Sequence, residues 1–379
     1  MQRPCNPFLR AAGRVCWSPG GSGLRGLSMG EVVAGIVANP ASGQDIRRLV
    51  TQASAVPVEE KANLVRRLLS AFAVTGVERT LLSTDLGGIS AAVLHDLGRE
   101  PLPQVEFCDE DTLTGTAQDT VNAVRRMVDA GAGVIVCLGG DGTARVAAKA
   151  CGDVPLLALP TGTNNAFPQA GEATVAGLAA GMVASGQVDA DLVTQRVSML
   201  EVVTKNRREI ALVDVAVSMN KHVGAKALWD PTALTELYCT FAEPDGIGLS
   251  SIAGQLCPSS RSSADGVALQ LGPVESSAYV VHAAIAPGVV RPVGVRGWGV
   301  LRPGVRVDLA AGGGVIAVDG ERELELKNGE GAYVELRADG PWCVDVRAAM
   351  AEAATQGLLR SAATSGTAEK GRSHGRCAG

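Results

Sequence analysis

No Cys-x-x-Cys pair occurs among the nine cysteines of this 379-residue chain, so their spacing shows neither a zinc knuckle nor a disulfide framework. No run reaches the roughly 18 apolar residues of a membrane-spanning helix; the nearest, residues 279–290, is interrupted by His282 and Pro287. Basic charge is not in excess. A formal net charge of −5 argues against non-specific binding to nucleic acid or an anionic membrane. Repeats at a fixed period are absent, and 47 glycines with 18 prolines stay below the roughly 25–30% that marks low complexity. These absences leave a soluble, cytoplasmic globular protein as the expectation, with no membrane span and no nucleic-acid partner. Length suggests two or three domains of about 150 residues each, and a homo-oligomer is expected.

Acids are missing from residues 1–30, which hold Arg3, Arg10, Arg14 and Arg25. That balance resembles an organelle transit peptide, but glycines and prolines spoil a continuous amphipathic helix. A disordered leader, or a start at Met29, is the preferred reading. Residues 362–379, rich in Ser, Gly and basic side chains, read as a disordered tail.

What is present begins at Val32. Residues 32–38, 80–82 and 105–107 read as short strands, and residues 61–73, 88–97 and 116–130 as helices, the first with Leu64, Val65, Leu68, Leu69 and Phe72 at helical spacing. Such alternation implies a doubly wound, mostly parallel sheet covered on both faces, over residues 31–185. After about residue 185 strands dominate: 199–204, 210–218, 267–271, 278–286, 305–309, 314–318 and 332–336, punctuated by Gly, Pro and Asn-Gly turns. That pattern suits a β-sandwich or barrel over residues 186–345. A helical insertion is read at 225–240 and a terminal helix at 346–361.

The densest signal lies in residues 133–168. An apolar strand, 134–138, with Cys137 as plain core, runs into Gly139-Gly140-Asp141-Gly142-Thr143. A helix follows, and a second apolar strand, 155–159, ends at Pro160-Thr161-Gly162-Thr163-Asn164-Asn165. Glycines lack a Cβ, so the backbone can take positive φ and admit a ligand closely. Unpaired amides where the helix begins, at Thr143, favour an anion such as phosphate. Asp141 sets a carboxylate beside that cradle, which calls for a metal ion or a proton to accept. The plainer alternative is a tight turn capping a helix. Two polar loops side by side at the carboxyl edge of a parallel sheet, where ligands bind, favour the phosphate site. Asn39-Pro40-Ala41-Ser42-Gly43 would emerge on the same edge, or be a simple Pro-Gly turn.

These loops, in this order and followed by Asp319-Gly320-Glu321, resemble the NAD kinase and diacylglycerol kinase-like superfamily. Within it they resemble the ATP-NAD kinase-like proteins associated with acetoin catabolism. The likeness covers about residues 32–345, including 224–231 and 241–251. It implies an N-terminal α/β domain and a C-terminal β-sandwich-like domain, with the active site between them. The implied reaction moves the γ-phosphoryl of ATP, or of polyphosphate, to a hydroxyl; in NAD kinases this is the 2′-hydroxyl of the adenosine ribose. Mg²⁺ would offset the triphosphate charge, through ligands the motifs do not identify.

Carried over residue by residue, Asn39, Ser42, Gly43, Gly139, Gly140, Gly142, Thr143, Thr161, Gly162 and Thr163 would hold the nucleotide. Asp141 would orient the acceptor hydroxyl or take its proton, with Glu321 as a second catalytic acid. Asn164, Asp214, Ser250, Ser251 and Asp319 would meet the acceptor. An unperturbed Asp, with a pKa near 3.9, is a weak base, and a loose phosphoryl-transfer transition state asks more for positioning. Orientation therefore ranks above proton abstraction for Asp141. Arg145 and Lys149 could assist with charge, but read more readily as solvated surface residues.

NAD kinases carry Leu-Asn-Glu where this chain has Leu212-Val213-Asp214, and Val213 cannot hydrogen-bond a ribose. Asp319-Gly320-Glu321 follows the lipid-kinase version, or is a hairpin turn. The acceptor is thus NAD first, with a lipid or small polyol behind it. No basic amphipathic helix is evident for docking on lipid. A catalytically idle, nucleotide-binding regulator is the alternative class.

Overall fold

The computed structural model describes residues 30–96, 102–108, 112–169, 171–220, 225–310 and 312–361. The leader, the tail, Leu97 and Gly224 lie outside the described residues. The first part of the chain runs β1 (Val33–Ala38), α1 (Arg47–Val50), α2 (Val58–Val74), β2 (Arg79–Leu82), α3 (Ile89–Asp96), β3 (Gln104–Phe107), α4 (Ala117–Asp129), β4 (Ile135–Gly139), α5 (Asp141–Ala148), β5 (Leu156–Pro160), α6 (Ala173–Ala184) and α7 (Ala190–Val193). Next come β6 (Thr194–Arg196), β7 (Met199–Thr204), β8 (Arg208–Ala211), β9 (Asp214–Ser218), β10 (Leu234–Cys239), α8 (Ser250–Gly254), β11 (Gly266–Gly272), β12 (Tyr279–Ala286) and β13 (Val289–Leu301). The chain closes with β14 (Arg306–Asp308), β15 (Gly314–Val318), β16 (Glu321–Leu326), β17 (Ala332–Arg337), β18 (Trp342–Val344) and α9 (Val346–Gln356). Among the described residues no helix is long and apolar enough to cross a membrane.

The first sheet has the order β3-β2-β1-β4-β5-β18-β6. Its pairings are parallel apart from that of β18 with β6. All six residues of β1 and all five of β4 are buried, because both faces are covered. Ala34, Ile36, Val136 and Leu138 pack with Leu68, Leu69 and Phe72 of α2. Val33, Val37, Ile135 and Cys137 face Val124 and Met127 of α4 on the other side. Strand order reverses between β1 and β4, so the loops leaving these two strands flank a switch-point crevice.

The rest forms a two-sheet antiparallel stack. One sheet runs β12-β13-β11-β10-β9-β15-β16 and the other β14-β17-β7-β8. Val215, Val217, Ile316 and Val318 of the first meet Leu200, Val202, Val334 and Leu336 of the second. The opposite face of the seven-stranded sheet is also buried, with Leu237, Val267 and Val281 under Ile252 and Ala253 of α8.

Several expectations change. Of the helical insertion read at 225–240, residues 234–239 form strand β10, preceded by a single 3-10 turn at Pro231–Ala233. Buried on both faces of a central strand, Leu234, Leu237, Tyr238 and Cys239 lose the alternation that marks a strand and leave Leu234 and Leu237 at helical spacing. The single strand read at 210–218 is β8 and β9 in different sheets, broken at Leu212-Val213. Strand β13 went unread because Pro292 and Gly294, Gly297 and Gly299 look like turn residues. Finally, β6 and β18, within 186–345, complete the first sheet.

Candidate functional site

The loop after β1 is shaped by short polar side chains. Asn39 Oδ1 accepts from the Ala41 amide at 2.9 Å, and Ser42 Oγ donates to Asn39 O at 2.9 Å. Lys61 of α2, buried, donates to Asn39 O, Pro40 O and Ser42 O at 3.1, 2.9 and 2.9 Å. Burial pulls its ammonium down to about 8, partly offset by Asp85. Gly43 takes φ +77°, a left-handed conformation that suits glycine.

From there the three polar loops close on one another. Asn39 Nδ2 donates to Thr143 Oγ1 at 2.9 Å across the switch point, and the Ser42 and Thr161 hydroxyls bond at 2.8 Å. Thr163 donates to Asp45, whose carboxylate forms a fork with Arg47 Nε and Nη2 at 2.9 and 2.8 Å. Asn165 braces Gly162 through its amide and carbonyl, both at 2.9 Å.

Helix α5 starts at Asp141, with Gly140 as N-cap, two residues before the expected start. Gly139, Gly140 and Gly142 do not take positive φ. Close approach is what demands glycine here. A Cβ on Gly139 would overlap the Thr143 side chain, one on Gly162 would sit 2.6 Å from Gly140 Cα, and one on Gly142 would sit 3.0 Å from Glu321 Oε1.

Asp141 is buried, and its carboxylate accepts from the Ala166 and Phe167 amides at 3.3 and 2.8 Å. Burial, with Asp319 nearby, pushes it up to about 7 against the pull of those amides and of Arg47. The ordinary carboxylate value assumed from sequence therefore does not apply. Asp319 (φ +50°) and Gly320 (φ +71°) turn β15 into β16, with Val318 paired to Glu321. A two-residue turn with both φ positive is the hairpin connection that Asp-Gly favours. The same Asp319 carboxylate accepts from the Leu212, Val213 and Asp214 amides at 3.0, 2.8 and 3.3 Å, which is what separates β8 from β9.

Arg145 is 2% exposed, not a solvated surface residue. Its guanidinium reaches Asp319 at 3.4 Å, Glu321 at 3.5 Å, Glu323 at 3.0 Å and Glu209 at 3.7 Å. Burial pushes Asp319 up and Arg145 pulls it back, leaving it at about 6. Asp214 stands well above the usual carboxylate range through burial and the neighbouring Asp319 and Asp141. Glu321 is partly open and also meets Lys226 at 3.4 Å. Lys149 pairs with Glu209.

The five residues expected to meet an acceptor are all buried. Ser251 Oγ donates to Gly248 O at 2.7 Å and Asn164 Nδ2 to Ile285 O at 3.0 Å. No hydrogen bond ties Ser250 or Ser251 to the acid cluster among the described residues. Asn164 Oδ1 and Asp214 Oδ1 are buried without a partner. Sequence reasoning missed Asp45, Arg47, Lys61, Lys226 and Arg261, none of which stands in a Gly-rich motif. A cavity of about 870 Å³ is lined by Asn165, Ala166, Phe167, Leu212, Phe241 and Arg261 among others, and by none of the expected site residues. It lies within the roughly 300–1,000 Å³ of small-molecule sites. Its link to the acid cluster is the Ala166–Phe167 segment, whose amides hold Asp141.

Among the described residues no group of three His, Cys, Asp or Glu is arranged to hold a metal ion. The carboxylates of Asp141 and Asp319 are engaged by backbone amides.

This fold and site define a two-part chain: residues 35–188 match the ATP-NAD kinase N-terminal domain, and residues 198–339 the acetoin catabolism protein X C-terminal domain. Acetoin catabolism protein X of Cupriavidus necator is 39% identical over 339 residues, covering 87% of this chain and 94% of that protein. The chain belongs to the acetoin catabolism protein X family. Similar solved structures include yeast NADH kinase complexed with NADH, with TM-score 0.47, 15% identity and coverage of 87% of this chain and 89% of that one. A diacylglycerol kinase from Bacillus anthracis str. Sterne gives TM-score 0.40 and 12% identity, covering 83% and 97%.

Proposed function

We propose that this protein transfers the γ-phosphoryl group of ATP to a hydroxyl, with the 2′-hydroxyl of NAD as the first acceptor to test. Polyphosphate is the alternative donor. One observation carries the reading: three polar loops meet at the switch point around a carboxylate, Asp141, held near neutrality at a helix start. At the start of α5 the Asp141 and Gly142 amides lack intrahelical partners and favour phosphate there, whereas the Thr143 amide already donates to Gly140 O at 3.1 Å. Arg47 and Lys226 add positive charge beside Glu321. A carboxylate whose pKa is about 7 suits a general base at neutral pH, so proton acceptance by Asp141 now ranks with orientation. The cavity behind Ala166 and Phe167 offers room for an acceptor. Magnesium, in this reading, arrives with the nucleotide.

Val213 favours a second reading. It is buried, with its amide on Asp319, and offers no polar atom to a ribose. A lipid or small polyol acceptor, or an idle nucleotide-binding regulator, follows from that position. A cytoplasmic homo-oligomer remains part of the proposal. The test incubates purified protein with Mg-ATP and NAD, NADH, diacylglycerol or small polyols and traces the phosphate. Label in NADP supports the first reading, label in another acceptor supports the second, and no transfer with retained ATP binding supports the regulator.

A further inference from the structure

The two residues whose amides hold Asp141 are themselves held by one guanidinium. Arg261, in the loop between α8 and β11, donates from Nη1 to Phe167 O at 2.6 Å and from Nη2 to Ala166 O. Its other edge is fixed by Glu243, with Nε 3.1 Å from both oxygens and Nη2 at 3.0 Å from one. The guanidinium also lies over the Phe241 ring, 4.2 Å from its centroid. All three nitrogens are engaged, so the group has one orientation. Only a planar fork can span two successive carbonyls while gripping a carboxylate behind it.

We propose that Arg261 is a positioning residue for Asp141: by clasping the Ala166 and Phe167 carbonyls it aims both amides at the carboxylate, so the β-rich part of the chain sets how readily Asp141 accepts a proton. Arg261 also lines the 870 Å³ cavity, which places the clasp where a bound molecule would press on it. The other charged groups acting on Asp141 are Arg47 from the segment after β1, Asp214 from β9 and Asp319 from the β15–β16 turn. None of them contacts Arg261. Amide hydrogen bonds favour the ionised carboxylate, so loosening the clasp raises the proton affinity of Asp141.

The significance for catalysis rests on the kinase reading; the geometry does not, and the test keeps the two apart. The whole chain, without nucleotide, is labelled with ¹³C at the aspartate carboxyls and titrated by NMR, the Asp141 signal being assigned by its loss in Asp141→Asn. In the native chain the signal should titrate near pH 7. Arg261→Lys keeps the positive charge against Glu243 and Phe241 but cannot bridge both carbonyls. It should move the midpoint up by on the order of 1 unit, and Arg261→Met by at least as much. An unmoved midpoint in both variants overturns the proposal. So does a shift in Arg261→Met alone, which would reflect lost charge. Should Arg261→Met fail to fold, Arg261→Lys decides by itself. Where turnover is found, the rising limb of kcat/KM against pH should move with the titration; a native chain without turnover removes the kinase reading and leaves the titration result standing.

Discussion

Two buried aspartates followed by glycine, one from each half of the chain, are both held by backbone amides but differ in the number of amides and in the cation they meet. Asp141 opens α5 and accepts two amides from residues 166 and 167; Asp319 sits in the β15–β16 turn and accepts three from residues 212–214. Both are buried. Asp319 has the Arg145 guanidinium at 3.4 Å, whereas Arg47 acts on Asp141 without forming an ion pair. Burial accordingly lifts Asp141 to about 7 but leaves Asp319 at about 6. A counter-ion and a third amide hold Asp319 lower, and where both are lacking Asp141 stays near neutrality.

Arg145→Met attacks the comparison hardest. It strands Asp319 and deprives Glu209, Glu321 and Glu323 of their shared cation, and breaking one side of a buried ion pair costs about 3–5 kcal/mol. Urea unfolding at pH 7 should show a loss of that order; a loss within that of an ordinary surface substitution, about 0.5 kcal/mol, would mean that Arg145 is not the counter-ion. Lys61→Met should cost less, about 1–3 kcal/mol, by removing the donor for three carbonyls of the loop after β1. Unchanged stability in the same assay would show those carbonyls to be satisfied otherwise.

A subtler distinction is pH dependence. Both carboxyls lie above their ordinary 3.8 in the folded chain. Each therefore contributes stability that is full below about pH 4 and lost as pH rises to about 7 for Asp141 and about 6 for Asp319. Asparagine removes the charge, so Asp141→Asn, which breaks no ion pair, should melt higher than the native chain at pH 8, whereas Asp319→Asn also takes the buried Arg145 guanidinium's partner away and should not. The gain at 141 should fade toward pH 4. An equal or larger gain for Asp319→Asn would contradict the role given to Arg145.

Much of this was legible in sequence, for physical reasons that stop at identifiable residues. β1 and β4 are buried on both faces, so they read as apolar runs, and the polar loops after them stand out by contrast. That the loops share an edge followed from parallel pairing. The same two-sided burial hid β10, because a central strand without alternation looks like a short helix. Proline and glycine hid β13. Arg145 read as a surface residue because its acids arrive from 64 to 178 positions away. Arg261 is 94 residues from Phe167, so its clasp exists only once the chain has folded. The glycines of residues 139–142 were found for an incomplete reason, since crowding against Thr143, Gly162 and Glu321 requires them rather than positive φ.

The central claim is that Asp141 is the group that handles the acceptor proton beside bound ATP. It is tested most directly by turnover of Asp141→Asn against a confirmed acceptor, with ATP affinity measured in parallel. Turnover should fall by about 10²–10⁴-fold, while ATP affinity stays level or rises slightly as repulsion from phosphate is relieved. Undiminished turnover in the variant would make Asp141 a buried turn residue and place the reacting centre elsewhere.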